Sequence, residues 1–351
     1  MRERVLRLGW NASAYQLLAP GFSHWLAPDH DAAVGYVRHA GVRVAAGAPV
    51  AREADVAEAA AAFEVEARRH GDAVCWFAAE ARLTSAFEDA PDHDRVLLGG
   101  LPVWDPRRWR EVVRTHTSVR SQLSRARNKG LRVDAWRDPS TAQLAELREL
   151  QADWLARKAL PRLHFLTEVD TLRSLRDRHL LVASVGERPV GFLVASPVPT
   201  RAGWLVEQVV RTAAAPNGTA ESLIDAMMRA AAEEGSGYLT LGLVPLAQRA
   251  ELPRDTPPRW LALTLRLVRA YGQRFYNFAG LEHFKAKLAP ERWDPVYAIA
   301  NEARFSPRTL YAIAGAFAGG PPPALVTRAL VRAAAEETRG RLAQAHPVRA
   351  R

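Results

Sequence analysis

The sequence predicts a mixed α/β fold made of two comparable parts. Three observations predict it. Apolar runs of strand length alternate with segments whose apolar residues recur at helical spacing. That alternation runs through the chain once before residue 130 and again after it. The chain has 351 residues, long for one domain and comfortable for two. Its 48% hydrophobic and 25% charged content is that of a globular protein with a sizeable core, not of a disordered one.

In the first part, 1–130, Val34-Gly-Tyr-Val-Arg-His-Ala-Gly-Val-Arg-Val-Ala-Ala46 reads as two strands joined by a turn. Residues 53–70 read as a helix, with Val56, Ala59, Phe63 and Ala67 on one face and Gly71 as its stop. Residues 74–80 and 95–101 read as strands. Residues 109–128 read as a polar, basic helix ended by Lys129-Gly130. The second part, 131–303, opens near Leu131. Ser140-Thr-Ala-Gln143 has the form of a capping box, and Leu144, Leu147, Leu150 and Trp154 follow on one helical face. A strand pair is expected over 179–197 around the turn Gly186-Glu-Arg-Pro189, then a strand over 204–210. Pro216-Asn-Gly218 opens a helix to 234. A strand over 238–244 and a helix over 261–271 follow. Residues 275–297 read as a turn, a short helix and a strand. A basic tail, 304–351, closes the chain with eight arginines and two acids. Within it, 307–317 is largely apolar, Gly319-Gly-Pro-Pro-Pro323 is a break, and 324–343 reads as helical. The order strand, turn, strand, strand, helix, strand resembles the acetyltransferase-like fold called GNAT. The first part reads as a damaged copy of it. The expected class is therefore α/β (α+β), with tandem GNAT-like domains whose mixed sheets are flanked by helices.

Composition narrows the functional classes. The net charge is +10, and lysine occurs only at 129, 158, 285 and 287, so arginine carries nearly all the positive charge. Arginine forks match phosphates, so an anionic partner is expected. Cys75 is the only cysteine and sits in an apolar run, which excludes an intramolecular disulfide and reads as core in a reducing compartment. The N-terminus has no apolar signal region, and no apolar stretch reaches the roughly 18 residues of a span. The histidines show no metal spacing; Asp29-His30-Asp31 and Asp92-His93-Asp94 read as turns, so no metal is expected. The sequence offers no Gly-x-Ser-x-Gly elbow and no convincing Ser-His-Asp arrangement, which fits chemistry without a covalent enzyme intermediate.

Five blocks carry a family resemblance over roughly residues 11–297. They are Tyr15-Gln-Leu-Leu-Ala-Pro-Gly-Phe22, Ser118-Val-Arg-Ser-Gln-Leu-Ser-Arg-Ala-Arg-Asn-Lys-Gly130, Asp153-Trp-Leu-Ala-Arg-Lys158, Glu207-Gln-Val-Val-Arg211 with Ala215-Pro-Asn-Gly-Thr219, and Phe275-Tyr-Asn-Phe-Ala-Gly-Leu-Glu-His-Phe-Lys-Ala-Lys-Leu-Ala-Pro-Glu-Arg-Trp-Asp-Pro-Val-Tyr297. In this order they resemble the C-terminal aminoacyltransferase domain of bacterial phosphatidylglycerol lysyl- and alanyltransferases, the multiple peptide resistance factors, without their transmembrane module. Two departures stand out. The family's central strand carries Asp-x-x-Arg, where this chain has Gln208 with Glu207 beside it. The family's Phe-Ser-Leu-Gly is here His164-Phe-Leu-Thr167.

The resemblance implies transfer of an amino acid from a charged tRNA to a lipid hydroxyl of the phosphatidylglycerol type, with aminoacyl-tRNA as co-substrate and no other cofactor. It implies a cytoplasmic protein working at the inner face of the membrane, on an anionic phospholipid. A Fem-like transfer to a peptidoglycan precursor or peptide amine and a catalytically silent tRNA- or lipid-binding module are the alternatives. Ester exchange needs positioning, proton transfer and oxyanion stabilisation. The expected catalytic residues are Lys285, Arg211 and Glu207. Strand alternation puts Glu207, Val209 and Arg211 on one face and Gln208 on the other. Expected substrate contacts are Lys287, Asn217, Gly218, Thr219, Tyr276, Asn277 and Lys158. Asn217 to Thr219 stand at a helix N-terminus, where free N–H groups attract anions. The Gln/Arg-x-x-Gly-x-Gly/Ala loop that binds acetyl-CoA there is missing. From Arg107 to Arg132 there are nine Arg or Lys and one acid, headed by Trp104 and Trp109. Arg114, Arg120, Arg125, Arg127 and Lys129 are the expected tRNA contacts.

Overall fold

The computed structural model describes residues 1–88, 90–157, 164–167, 170–247, 249, 252–253 and 278–321. Within the first part, α1 (Arg2–Leu8) precedes β1 (Ser23–Leu26), β2 (Ala33–His39) and β3 (Val42–Ala46). Then come α2 (Val56–Arg69), β4 (Ala73–Ala79), α3 (Ala81–Ala86), β5 (Asp94–Trp104), α4 (Trp109–Thr115) and α5 (Thr117–Asn128). α2 buries Val56, Ala59, Phe63 and Ala67, the face that its spacing predicts. The basic segment is two helices rather than one. His116 is extended, and Thr115 and His116 turn their side chains back onto the carbonyls of Glu111 and Val112. Such side-chain bonds compete with continuation of the helix.

The second part holds β6 (Leu131–Ala135), α6 (Thr141–Ala156), β7 (His179–Val185), β8 (Arg188–Val198), β9 (Gly203–Arg211), α7 (Thr219–Glu233), β10 (Tyr238–Thr240) and the two-residue β11 (Val244–Pro245). α8 (Phe278–Lys287), β12 (Arg292–Ala300) and α9 (Pro307–Ala318) close the described chain. The capping box at α6 is formed in both directions: Ser140 Oγ accepts from the Gln143 amide, and Gln143 accepts from the Ser140 amide. The helices expected over 261–271 and 324–343 lie outside the described residues.

All strands join one sheet in the order β1-β2-β3-β4-β12-β5-β10-β9-β8-β7-β6, with β11 on β5. Each half contains one parallel pair, β3 with β4 and β9 with β10; the other pairings are antiparallel. β12, late in the chain, lies between β4 and β5 of the first part. α5 and α7 pack on one face of the second part over Leu193, Ala195 and Val206, and α6 packs on the other over Phe192, Val194 and Val210. α9 packs Ala312, Ile313 and Ala316 into the core that holds Val42, Val44 and Phe77. Of the described helices, none is long and apolar enough to cross a membrane.

Candidate functional site

The site gathers where β9 and β10 part. They pair in parallel only from Gly203 to Leu205, against Tyr238 to Thr240. Beyond that β9 runs on to Arg211 without β10, paired on its other side with β8. The turn after it leads through Pro216 and Asn217 to Gly218, whose φ of +94° only glycine adopts readily. A Cβ there would come within 2.2 Å of the Gln122 carbonyl oxygen, so glycine also lets the start of α7 press against α5. No side chain caps α7, which leaves first-turn N–H groups without a side-chain acceptor. Arg211, Asn217, Gly218 and Thr219 line one cavity of about 250 Å³, together with Gln122, Glu221 and Phe284. Among the described residues, no carboxylate pairs with the exposed Arg211 side chain. Asp225 accepts instead from Arg229 and Trp109. Lys287 reaches this cavity through its ion pair with Glu221 at 3.0 Å.

Lys285 follows Phe284 in sequence but is turned inward. It is 5% exposed, and its Nζ donates to the carbonyls of Leu241 at 2.6 Å, Gly242 at 2.8 Å and Leu243 at 3.4 Å. An ammonium has three donors. All three are committed here to the segment after β10, which leaves none for a phosphate or an oxyanion in this conformation. Burial pushes its pKa down to about 7.

The expected alternation along β9 is broken. Register shifts where Val194 pairs with Gln208 and Ala195 with Val206, so Glu207 is an extra residue in a bulge. Val206 and Val209 join the α7 side, whereas Gln208 accepts from Gln151 of α6 and from Thr171. Glu207 therefore does not share a face with Arg211. Its carboxylate, 1% exposed, accepts from Arg178 at 2.8 Å and from Gln16 at 3.4 Å. Arg178 in turn stacks on Tyr15, 5.0 Å from the ring centre. Burial, with the charge of Asp177, pushes the Tyr15 hydroxyl up to about 12.

The departure at His164 also has a location. Phe165 packs among Phe22, Phe77 and Phe317, and the His164 amide donates to the Phe317 carbonyl of α9 at 2.8 Å. On α5, Val119, Leu123 and Ala126 are buried, while Arg120, Arg125 and Arg127 are exposed, as are Arg114 and Lys129. The two tryptophans at the head of the run are core residues. Trp104 is 1% exposed and donates to the Leu288 carbonyl; Trp109 is 2% exposed and donates to Asp225. Neither presents a face on which a base could stack. Tyr276, Asn277 and Lys158 lie outside the described residues. Sequence reasoning missed Arg157, whose guanidinium donates to the Arg211 carbonyl at 3.0 Å, although it stands beside Lys158 in a quoted block. It also missed Arg178 and Gln122, which only tertiary pairing brings to the site.

A family model of the phosphatidylglycerol lysyltransferase C-terminal domain matches residues 2–300. The chain belongs to that family. No curated protein matches it. Among solved structures, it is similar to the C-terminal domain of an Agrobacterium fabrum protein assigned as a lysylphosphatidylglycerol synthetase. Identity is 22%, TM-score 0.76, and coverage 91% of this chain and 96% of that one. It is also similar to L-PGS from Bacillus licheniformis, at 20% identity and TM-score 0.74, covering 94% of each chain. A conserved protein of unknown function from Bacteroides thetaiotaomicron VPI-5482 matches at 11% identity and TM-score 0.57, covering 85% of this chain and 95% of that one. At these identities the likeness establishes the fold: a mixed α/β, tandem GNAT-like arrangement with one large mixed sheet, the class expected from the sequence. For this member of the phosphatidylglycerol lysyltransferase C-terminal domain family, α9 lies beyond the matched residues and covers the His164 segment.

Proposed function

We propose that this chain moves an amino acid from the 3′ end of a charged tRNA to a hydroxyl of a phosphatidylglycerol-type lipid. The observation that carries the reading is the cavity at the start of α7. There the guanidinium of Arg211, without a carboxylate partner among the described residues, and helix amides without a side-chain cap converge beside the exposed basic face of α5. Both features suit phosphate. In this reading Arg211 and the amides of α7 hold a phosphate next to the reacting ester, and the segment from α4 to the end of α5 tracks the tRNA backbone through Arg114, Arg120, Arg125, Arg127 and Lys129. Asn217, Gly218, Thr219 and Lys287 shape the pocket.

The lipid hydroxyl oxygen attacks the ester carbonyl carbon and forms the new C–O bond. The bond to the ribose oxygen then breaks, and that oxygen takes the proton that the lipid hydroxyl gives up. No covalent enzyme intermediate is needed. Lys285 acts as a positioning residue that ties α8, which brings Phe284 to the cavity, to the carbonyls of residues 241–243. Glu207 locks the β9 bulge to Arg178.

A second reading, a silent tRNA- and lipid-binding module, is favoured by one observation. Where the resemblance puts the acid of Asp-x-x-Arg, this chain has the neutral Gln208, and the acid beside it, Glu207, is buried and ion-paired with Arg178. One experiment separates the two. The purified chain is incubated with charged tRNA and phosphatidylglycerol vesicles, and the lipids are extracted. A ninhydrin-positive phospholipid supports transfer. Binding of tRNA and vesicles with no such lipid supports the module. Amino-acid transfer to a peptide amine alone would overturn both.

A further inference from the structure

A second cavity, of about 390 Å³, lies away from this site and is built from both halves. It is lined by Trp10, Glu80, Arg201, Tyr238, Arg292 and Asp294. Arg201 precedes β9 and Arg211 ends it, so the strand's length, roughly 25–30 Å, separates the two cavities.

The walls are held rigidly. Arg201 lies 3.6 Å from the centre of the Trp10 ring and 4.5 Å from that of Tyr238, and it donates to Glu80 at 2.6 Å. Glu80 also accepts from the Ala12 amide at 2.8 Å. Two buried polar atoms stand out. The Tyr238 hydroxyl, on a residue 4% exposed, and Arg201 Nε, on a side chain 10% exposed, find no hydrogen-bond partner among the described residues. Buried polar atoms are nearly always satisfied, so an orphaned pair on one cavity calls for an acceptor. At the rim, Arg292 donates to Asp294 Oδ1 at 2.9 Å, and Oδ2 accepts no bond among the described residues.

The charges decide the ligand class. Each arginine is already matched by a carboxylate, Arg201 by Glu80 and Arg292 by Asp294. A balanced cavity has little field for a phosphate. It suits a ligand that is itself balanced. We propose that this cavity binds a small zwitterion of the free α-amino acid class, separate from the transfer site. The ligand's carboxylate accepts from the Tyr238 hydroxyl and Arg201 Nε, and its ammonium donates to Asp294. The volume lies in the range of small-ligand pockets. Burial, with Glu80 nearby, pushes the Tyr238 pKa up, which keeps its hydroxyl a donor.

This inference does not depend on the transfer reading. Calorimetry on the full chain tests it, with L-alanine and L-lysine as probes and acetate, methylammonium and inorganic phosphate as controls. Expected is amino-acid binding in the millimolar range or tighter, with each half-ligand weaker. Tyr238→Phe and Asp294→Asn should each weaken the amino acid by about tenfold, the scale of a lost hydrogen bond to a charged group. Asp294→Asn should leave acetate unaffected, and Arg211→Ala should leave amino-acid binding unchanged. Without ligand, Tyr238→Phe should not lower the melting temperature, because the hydroxyl that it removes has no partner. Three results would overturn the assignment: no binding by any amino acid, which leaves a water-filled cavity; preference for phosphate; or loss of binding in Arg211→Ala with Tyr238→Phe unaffected.

Discussion

Arg211 and Lys285 differ in a way that their sequence context hides. Both look like surface cations near a turn, yet one is exposed with no carboxylate partner among the described residues and the other is buried on three carbonyls. Their alanine variants should separate. Arg211→Ala should cut transfer by roughly a hundredfold, the scale of a lost electrostatic stabiliser, with little change in melting temperature. Lys285→Ala should lower activity and also stability, by about 1–3 kcal/mol or more for carbonyls left without a donor. Thermal melts of the two variants beside a lipid-extraction assay check this. Equal melting temperatures would remove the structural role given to Lys285. His93 illustrates the same point. Its Asp-His-Asp context reads as a turn, but its ring bonds Glu64 at 3.0 Å and Asp92 at 2.9 Å. Burial of the ring opposes its charge, yet those two carboxylates outweigh it and raise its pKa above the ordinary 6.5. A raised pKa in the folded state gives stability that is complete below about 6.5 and is lost as pH rises through the folded value. The melting-temperature gap between the wild type and His93→Gln should therefore shrink as pH rises from 6.5. A gap that widens would show the ring to be held neutral. Both features escape a one-dimensional reading because the partners, Glu64 and residues 241–243, are distant in sequence.

Among elements, the α5–α7 contact decides how the basic face meets the cavity. The basic character of the α4–α5 segment was legible, whereas its inward face of Val119, Leu123 and Ala126 and its division into two helices were not read from it. That α5 abuts α7 through Gly218 was not legible either, because it rests on a close approach between backbones. Gly218→Ala combines an unfavourable φ with a clash against the Gln122 carbonyl, so it should push the helices apart. Its expected signature is a lower melting temperature together with weaker tRNA binding. Neutralising Arg120, Arg125 and Arg127 one at a time should instead weaken tRNA binding at unchanged stability. Each loss should reduce the slope of log K against log salt by about 1. Filter binding across a salt series measures that slope; an unchanged slope would move the tRNA off α5. The bulge in β9 is the opposite case. Period-two alternation is a sound expectation for a regular strand, and one inserted residue reverses it for everything on one side.

At the scale of the whole molecule, the two-part class was legible from the recurring order of strands and helices. The path of the sheet was not. Nothing in residues 292–300 says that they pair with β4 and β5 rather than with the strands just before them, since Val296, Tyr297 and Ile299 would suit any buried strand. The tail divides in a similar way. Its apolar segment is α9, seated on the first core, so a chain ending at Arg304 would lose Phe305, Ile313 and Ala316 from that core. Residues 324–343 combine the apolar Leu325, Val326, Leu330 and Val331 with Arg328, Arg332, Arg339 and Arg341, a composition that suits a membrane surface, and a chain ending at Pro321 tests that role. Sedimentation with phosphatidylglycerol-containing and neutral vesicles should show weaker anionic binding for that shorter chain. Each arginine near such a surface contributes about 1 kcal/mol. Equal binding by the two chains would leave the segment without that role.

The seat of β12 bears on how the protein is made. Until residues 292–300 leave the ribosome, β4 and β5 have no neighbour for their facing edges, so the N-terminal half cannot close its sheet during synthesis as an independent unit would. The nascent chain must keep two apolar strand edges from pairing with other chains until its last described strand arrives. Pairing of Trp76 with Ile299 closes a loop of most of the chain, and contacts so far apart in sequence slow the search for the native state. Refolding yield should therefore fall steeply with protein concentration, and a strand-292–300 peptide added in trans to a chain ending at Glu291 should recover part of it.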